Sequence, residues 1–324
     1  MNDNLLIYRH ICFILALFLL TGCDLKPKPP LKVGTNVWPG YETLFLARSL
    51  GLYQKDAVKM VELPSATEVS HAFSHRLLDV AALTLDEVLT LAQYQSDIRV
   101  ILVMDVSHGG DVLLAKADIT NMAAIKGKRI GVERGAVGAI LLDGALTAAN
   151  LTATDIDIIH LSIDEQYEAY FNNEIDAVVT FEPVKTQLLQ LGAKPLFDSS
   201  QIPNRIIDVL VTRQEVIEQR SDDLTQLLAT YFKALHYLNT HKEEAAIKIA
   251  PRLMVSPSEV FSQFNGLILP DLSDNIKFFS ATTSTLKTSA STLATLMLEQ
   301  KLLTKNIMID NLIDGTFLPK KGVQ

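Results

Sequence analysis

From residue 31 to residue 212 the sequence keeps changing its hydrophobic period. Short apolar runs at 32–37, 58–63, 79–83 and 100–106 alternate with segments at 41–50, 66–75 and 85–94, where apolar residues recur every three or four positions. A second series follows, with strands predicted at 112–115, 129–132, 156–161, 177–180 and 206–212, and helices at 138–150, 165–171 and 184–191. Strands that are apolar throughout are covered on both faces, so this alternation predicts an α/β fold with mostly parallel sheets flanked by helices. With 324 residues, 48% of them hydrophobic, the chain can bury a large core, divided between two lobes. Near Asp222 the strands stop. Ser221, Asp222 and Asp223 have the form of a capped, acid-first helix start. Ser256, Pro257, Ser258 and Glu259 form a capping box with proline at the first helical position, and the rest of the chain reads as helix up to a polar tail after Pro319.

The first strand runs into the turn Asn36, Val37, Trp38, Pro39, Gly40, Tyr41, Glu42. Proline and glycine bend the chain there, and the free N–H groups of the following helix point past the strand end. In an open α/β sheet that position faces the ligand crevice. Trp38 is the single tryptophan of the chain. With Tyr41 it offers a flat aromatic wall for a small polar ligand, although a lobe-core role for Trp38 fits the pattern as well.

Two segments echo one another. Asp79 leads through VAALT and a leucine to Asp86, and Asp176 leads through AVVT and a phenylalanine to Glu182. Each is a strand ending in threonine with a carboxylate two residues on. In facing lobes, Asp86 and Glu182 address one ligand from both sides. The competing reading is local, because Thr84 to Glu87 is also a capping box and a first-turn acid complements the helix dipole.

The N-terminus has the parts of an export signal: Arg9, a ten-residue apolar run at 11–20, then small residues. Ten helical residues rise about 15 Å, too short for a bilayer core of about 30 Å. Leu20, Thr21, Gly22 and Cys23 match a bacterial lipobox, which predicts a signal at 1–22, lipid on Cys23 and a stiff proline-containing tether at 23–30; an ordinary signal peptide is the alternative. Asp24 sits where proteobacterial lipoproteins carry an inner-membrane retention signal. The two cysteines, Cys12 and Cys23, are not a disulfide pair. A net charge of −8 and the lack of a Lys/Arg-rich run argue against nucleic acid as a partner.

Reaction motifs are missing. There is no G-x-S-x-G, no P-loop and no G-x-G-x-x-G after a strand. The stretch 131–138 has the wrong glycine spacing for a dinucleotide, but its helix N–H groups and Arg134 suit an anion. His71 and His75, four apart on a helix with no acid between them, read as a solvated face. No catalytic residue, cofactor or metal is expected.

NVWPGYETLFLAR at 36–48, LTLDEVLTL at 83–91, GKRIGVERGAVGAILL at 127–142, IDAVVTFEPV at 175–184 and IIDVLVTR at 206–213 come in the order found in solute-binding proteins of ABC importers. The chain resembles the branch for nitrate, sulfonates, taurine and the thiamine pyrimidine precursor. That resemblance implies the type II periplasmic binding protein fold. Lobe 1 is then 31–109 plus 213–324 and lobe 2 is 110–212, with a two-strand hinge near Gly109, Gly110 and Thr212. It further implies a monomeric, non-enzymatic receptor at the periplasmic face of the inner membrane, or on the outer leaflet of a single-membrane cell, serving an ABC permease. A sensor for a membrane signalling partner is an alternative. The related pyrimidine-precursor synthases carry a cysteine-rich iron motif that the chain lacks. Where the family often has a hydroxyl residue after Gly135, this chain has Ala136. The loops expected at the cleft hold Glu42, Asp86, Asp111, Glu182 and Asp208 against Arg134. This balance favours an amine-containing, zwitterionic or N-heteroaromatic solute beside Trp38 over nitrate or a simple alkanesulfonate.

Overall fold

The computed structural model describes residues 28–133, 136–280 and 284–320. The chain divides into Met1–Pro30 and Leu31–Gln324, and all described strands and helices belong to the second unit. Its strands are β1 (Leu31–Thr35), β2 (Val58–Glu62), β3 (Val80–Thr84), β4 (Ile98–Ser107), β5 (Val112–Ala115), β6 (Arg129–Val132), β7 (Asp157–His160), β8 (Ala177–Thr180), β9 (Lys194–Asp198), β10 (Ile207–Arg213) and β11 (Leu267–Ile268). Helices α1 (Glu42–Ser49), α2 (Ala66–Ser74) and α3 (Leu85–Ala92) connect the strands of the first series. In the second series this is done by α4 (Ala136–Ala148), α5 (Ile163–Phe171) and α6 (Val184–Gln190). The C-terminal part is α7 (Gln214–Thr240), α8 (Lys242–Leu253), α9 (Val260–Gln263), α10 (Leu272–Phe278) and α11 (Thr285–Glu299).

Two sheets form. One has the order β11-β4-β10-β3-β1-β2, the other β7-β6-β8-β5-β9. The central strands β3, β5, β8 and β10 are buried along their whole length, as their apolar runs predict, while the edges β2, β7, β9 and β11 are partly exposed. Both sheets are mixed but mostly parallel, as expected, with four of six strands in the first and four of five in the second running the same way. β1 runs parallel to β2 and β3, and β6 parallel to β7 and β8. β10 is antiparallel to β3 and β4, and β5 is antiparallel to β8 and β9. β5 and β10 enter their sheets from the other lobe, so no βαβ crossover sets their direction; the two-residue β11 is also antiparallel to β4.

The position of β10 also moves the expected boundary. The seven residues of β10 are all buried, and they fill the slot between β3 and β4 in the first sheet. The return crossing therefore precedes β10, within 199–206, rather than at Thr212. It meets the outward crossing side by side, since Ser199 Oγ lies 2.7 Å from Ser107 Oγ and accepts the Gly109 N–H at 2.7 Å. Gly266 packs on the same segment, where a Cβ would come within 2.4 Å of the Gly109 carbonyl carbon.

Two further differences have local causes. β9 contains Pro195, which suppresses a strand reading but is tolerated on a sheet edge. The acid-first start at Ser221 proves to be a restart, because α7 begins at Gln214 and breaks at Arg220, whose φ/ψ of −134°/24° are not helical. Among the described residues no helix is long and apolar enough to cross a membrane.

Candidate functional site

The turn after β1 is a single 3-10 turn, Pro39–Tyr41, with Trp38 extended before it and Tyr41 N–H closing on the Trp38 carbonyl at 3.0 Å. It lies against the carboxyl group of Asp105, near the end of β4. A Cβ on Gly40 would sit 1.8 Å from Asp105 Oδ2, so only glycine admits that approach. The turn presents its face to a carboxylate, which removes it as an anion cradle. The Trp38 indole N–H donates to the same Asp105 oxygen at 3.1 Å. The Tyr41 hydroxyl donates to Asp208.

Strand register brings the acids together. Asp208 of β10 lies opposite Asp105 of β4 on one side and Thr84 of β3 on the other. Asp86 and Glu87 follow Thr84 in the first turn of α3. Glu87 closes the predicted box by accepting the Thr84 N–H at 3.0 Å, and both oxygens of the wholly buried Asp86 have no hydrogen-bond partner. Asp111, at the outward crossing, keeps one oxygen unpartnered, as does Asp105. From the second lobe, Phe181 meets Trp38 edge to face, with ring centroids 5.3 Å apart. Asn36, Trp38, Tyr41, Thr84, Asp111, Phe181 and Asp208 enclose a cavity of about 20 Å³ between the lobes.

Burial makes these carboxylates weak acids. Loss of hydration, with the charge of Asp111 nearby, lifts Asp86 to about 7. Burial with the same neighbour takes Asp105 to about 7, although the Trp38 N–H opposes it. Asp111 reaches about 6 through burial, held back by Ser107 and Lys185. Burial and the adjacent Asp86 bring Glu87 to about 8. Asp208 is raised well above the usual range by burial and then by Asp105, and Tyr41 by burial and the charge of Asp208.

The structure thus gathers Trp38, Tyr41, Asp111 and Asp208 around one cavity, with Asp86 within electrostatic reach of Asp111. Two expected members leave the set. Glu42 is fully buried but turns toward α8, where Arg252 Nε reaches both its oxygens at 3.0 and 2.9 Å. The same guanidinium binds Glu62 and covers the Phe45 ring, so Glu42 is half of a packing ion pair. Glu182 accepts from its own helix, Thr186 N–H at 3.0 Å, and has Lys185 3.8 Å away, which is the capping role. Arg134 and Cys23 lie outside the described residues.

Sequence reasoning missed Asp105, and its signal was present. A carboxylate inside the apolar run IRVILVMDVS is costly to bury and marks a position with a task. Phe181 and Asn36 carried no comparable signal.

The family model of the NMT1-like family matches residues 24–254. A Bacillus subtilis (strain 168) protein named for binding aliphatic sulfonates is 24% identical over 252 residues, 73% of this chain and 75% of its own. A Brachyspira hyodysenteriae protein named as an ABC transporter periplasmic binding protein is 22% identical over 272 residues, covering 76% and 78%. Among solved structures, the alkanesulfonate-binding protein SsuA from Xanthomonas axonopodis pv. citri, bound to MOPS, superposes with a TM-score of 0.73 at 17% identity, over 89% of this chain and 99% of that one. The desulfurization enzyme DSZB matches with 0.65 at 16% identity, over 90% and 98%, so the fold is shared by receptors and enzymes. The matched segment includes the turn at Trp38, both crossings and every carboxylate of the cavity, and the chain belongs to the NMT1-like family.

Proposed function

We propose that the chain is the extracytoplasmic solute-binding component of an ABC importer. It closes two lobes over a small solute that carries an amine or a protonatable ring nitrogen, and it catalyses no reaction. The names of its relatives support the transport role. The charge of the solute is carried by one observation, the carboxylates in the cavity wall, Asp208 and Asp111 with one Asp111 oxygen unpartnered, backed by the wholly buried Asp86. Such a wall carboxylate is expensive unless a partner arrives, and an ammonium or imidazolium turns it into a charge-assisted hydrogen bond. A bare anion in the cavity would meet Asp111 and Asp208 in its wall, each opposing it by about 1–4 kcal/mol at close range, with Asp86 and Asp105 buried behind them.

A cavity of about 20 Å³ holds little more than a water, so a solute of several atoms enters by parting the lobes at the paired crossings. Closure then follows from contacts that the solute makes with both sides, Trp38 and Tyr41 on one and Phe181 on the other. Signal cleavage, lipid on Cys23, a monomeric state and delivery to an inner-membrane permease complete the proposal. A thermal-shift screen against amines, amino sulfonates, pyrimidines, nitrate and simple alkanesulfonates tests it. Stabilisation by amines or pyrimidines, lost in Asp86→Asn, is the expected result. Stabilisation by nitrate or an alkanesulfonate alone would overturn the charge assignment.

A further inference from the structure

A second cavity of about 410 Å³ adjoins the first between the same two lobes. Ala66 borders the small cavity and Thr67 the large one. Its walls are apolar, formed by Val132, Leu142, Ile158 and Leu302, and His71 and His160 are exposed at its mouth. Two carboxylates stand against this apolar lining, Glu87 from the first lobe and Glu133 from the second, both over nine-tenths buried. Glu133 accepts from the Thr67 hydroxyl across the lobes at 3.1 Å with one oxygen, and its other oxygen is buried without a partner. Among the described residues no Lys, Arg or His forms an ion pair with Glu87 or Glu133.

The acids therefore form a chain rather than a cluster. Asp208 and Asp105 are cross-strand partners, Thr84 lies beside Asp208, and Asp86 and Glu87 follow in the next helical turn. Glu133 faces Glu87 from the other lobe across the second cavity. At the small cavity the polar atoms left without partners include Asn36 Oδ1 and Thr84 Oγ1 as well as acids. One monovalent cation at Trp38 leaves the far carboxylates uncompensated.

We propose that the solute carries two positive charges separated by an apolar spacer, as in an α,ω-diamine, with one ammonium at Asp111 and Asp208 in the wall of the small cavity and the other between Glu87 and Glu133. The apolar walls of the larger cavity hold the methylene chain, and the Thr67–Glu133 bridge ties lobe closure to the second charge. This deepens the functional reading above and rests on it.

Calorimetric titration of the purified full-length protein at pH 8 with 1,4-diaminobutane and 1,6-diaminohexane, against n-butylamine and n-hexylamine, tests it. A diamine is expected to bind at least about tenfold more tightly than the monoamine of equal length. Glu133→Gln is expected to remove that margin while still unfolding cooperatively on heating. Equal binding of monoamine and diamine by the unmodified protein overturns the second charge and leaves the proposed function standing. Equal stabilisation by a divalent metal ion alone, with no diamine preference, overturns it in favour of an inorganic cation. Binding of an alkanesulfonate and of no amine removes both proposals together.

Discussion

Replacing Asp86 by asparagine separates function from stability in a way few other substitutions here can. The carboxyl group is wholly buried, both oxygens lack partners, and its pKa is raised from 3.8 to about 7, by burial first and by Asp111 further. A raised acid holds its proton longer in the folded state than in the unfolded one. The folded state thus binds more protons between about pH 4 and 7, and stability falls as pH rises through that window. At pH 8 the ionised group opposes folding by about 4 kcal/mol, and at pH 5 by about 2, because each pH unit between the two pKa values is worth about 1.4 kcal/mol. Asn removes the charge and keeps the shape, so Asp86→Asn should stabilise the ligand-free protein by about 2–4 kcal/mol at pH 8 and by about half that at pH 5. For a chain of this size that is a rise in Tm of about 3–6 °C at pH 8. Thermal unfolding at both pH values, followed by titration with the stabilising amine, reads out both halves. The variant should be more stable and should no longer bind. A lower Tm at pH 8, or an equal gain at both pH values, would refute the reasoning that Asp86 is held charged for a ligand.

Other perturbations follow from the same geometry. Gly40→Ala drives a methyl group into Asp105 and the Trp38 indole, so it should shift the fluorescence of the single tryptophan and weaken amine binding at least about tenfold, a loss of about 1.4 kcal/mol. Arg252→Ala strands the buried Glu42, which burial already lifts to about 7 against the pull of Arg252, and should cost about 3–5 kcal/mol in denaturant titration without changing solute preference. Amine affinity should fall as pH drops from 7 to 5, by about tenfold per pH unit for each carboxylate that must ionise, and calorimetry across that range checks the sign. Cys23→Ser should abolish incorporation of a fatty-acid label in cells that label the unmodified protein.

Much of this architecture was legible because its signals are local. Alternating periods marked the strands and helices, and Thr84 to Glu87 marked a helix start that the structure closes as predicted. What escaped was long-range. Strand direction in β5 and β10 depends on which lobe the chain is leaving, and a seven-residue apolar run carries no record of that. Pro195 hid an edge strand that only its neighbour β5 makes possible. At the cavity, Trp38 and Tyr41 were legible because they sit in the turn that borders it. Asp208 lies within a strand and still borders the cavity, in register with Asp105. Glu42 and Glu182 were misplaced because an acid's partner can be 210 residues away, as Arg252 is from Glu42, or in its own next turn, as Thr186 is for Glu182.

The central claim is that the cleft is built to receive positive charge, and the count of protons exchanged on binding tests it most directly. The solute that stabilises the protein best is titrated calorimetrically near pH 7 in two buffers of different ionisation enthalpy. Asp86 and Asp105 are near half-protonated there. A cationic solute drives them to the ionised form, so the account predicts proton release to the buffer. Proton uptake on binding would show that the carboxylates are being neutralised to admit an anion, and would contradict it.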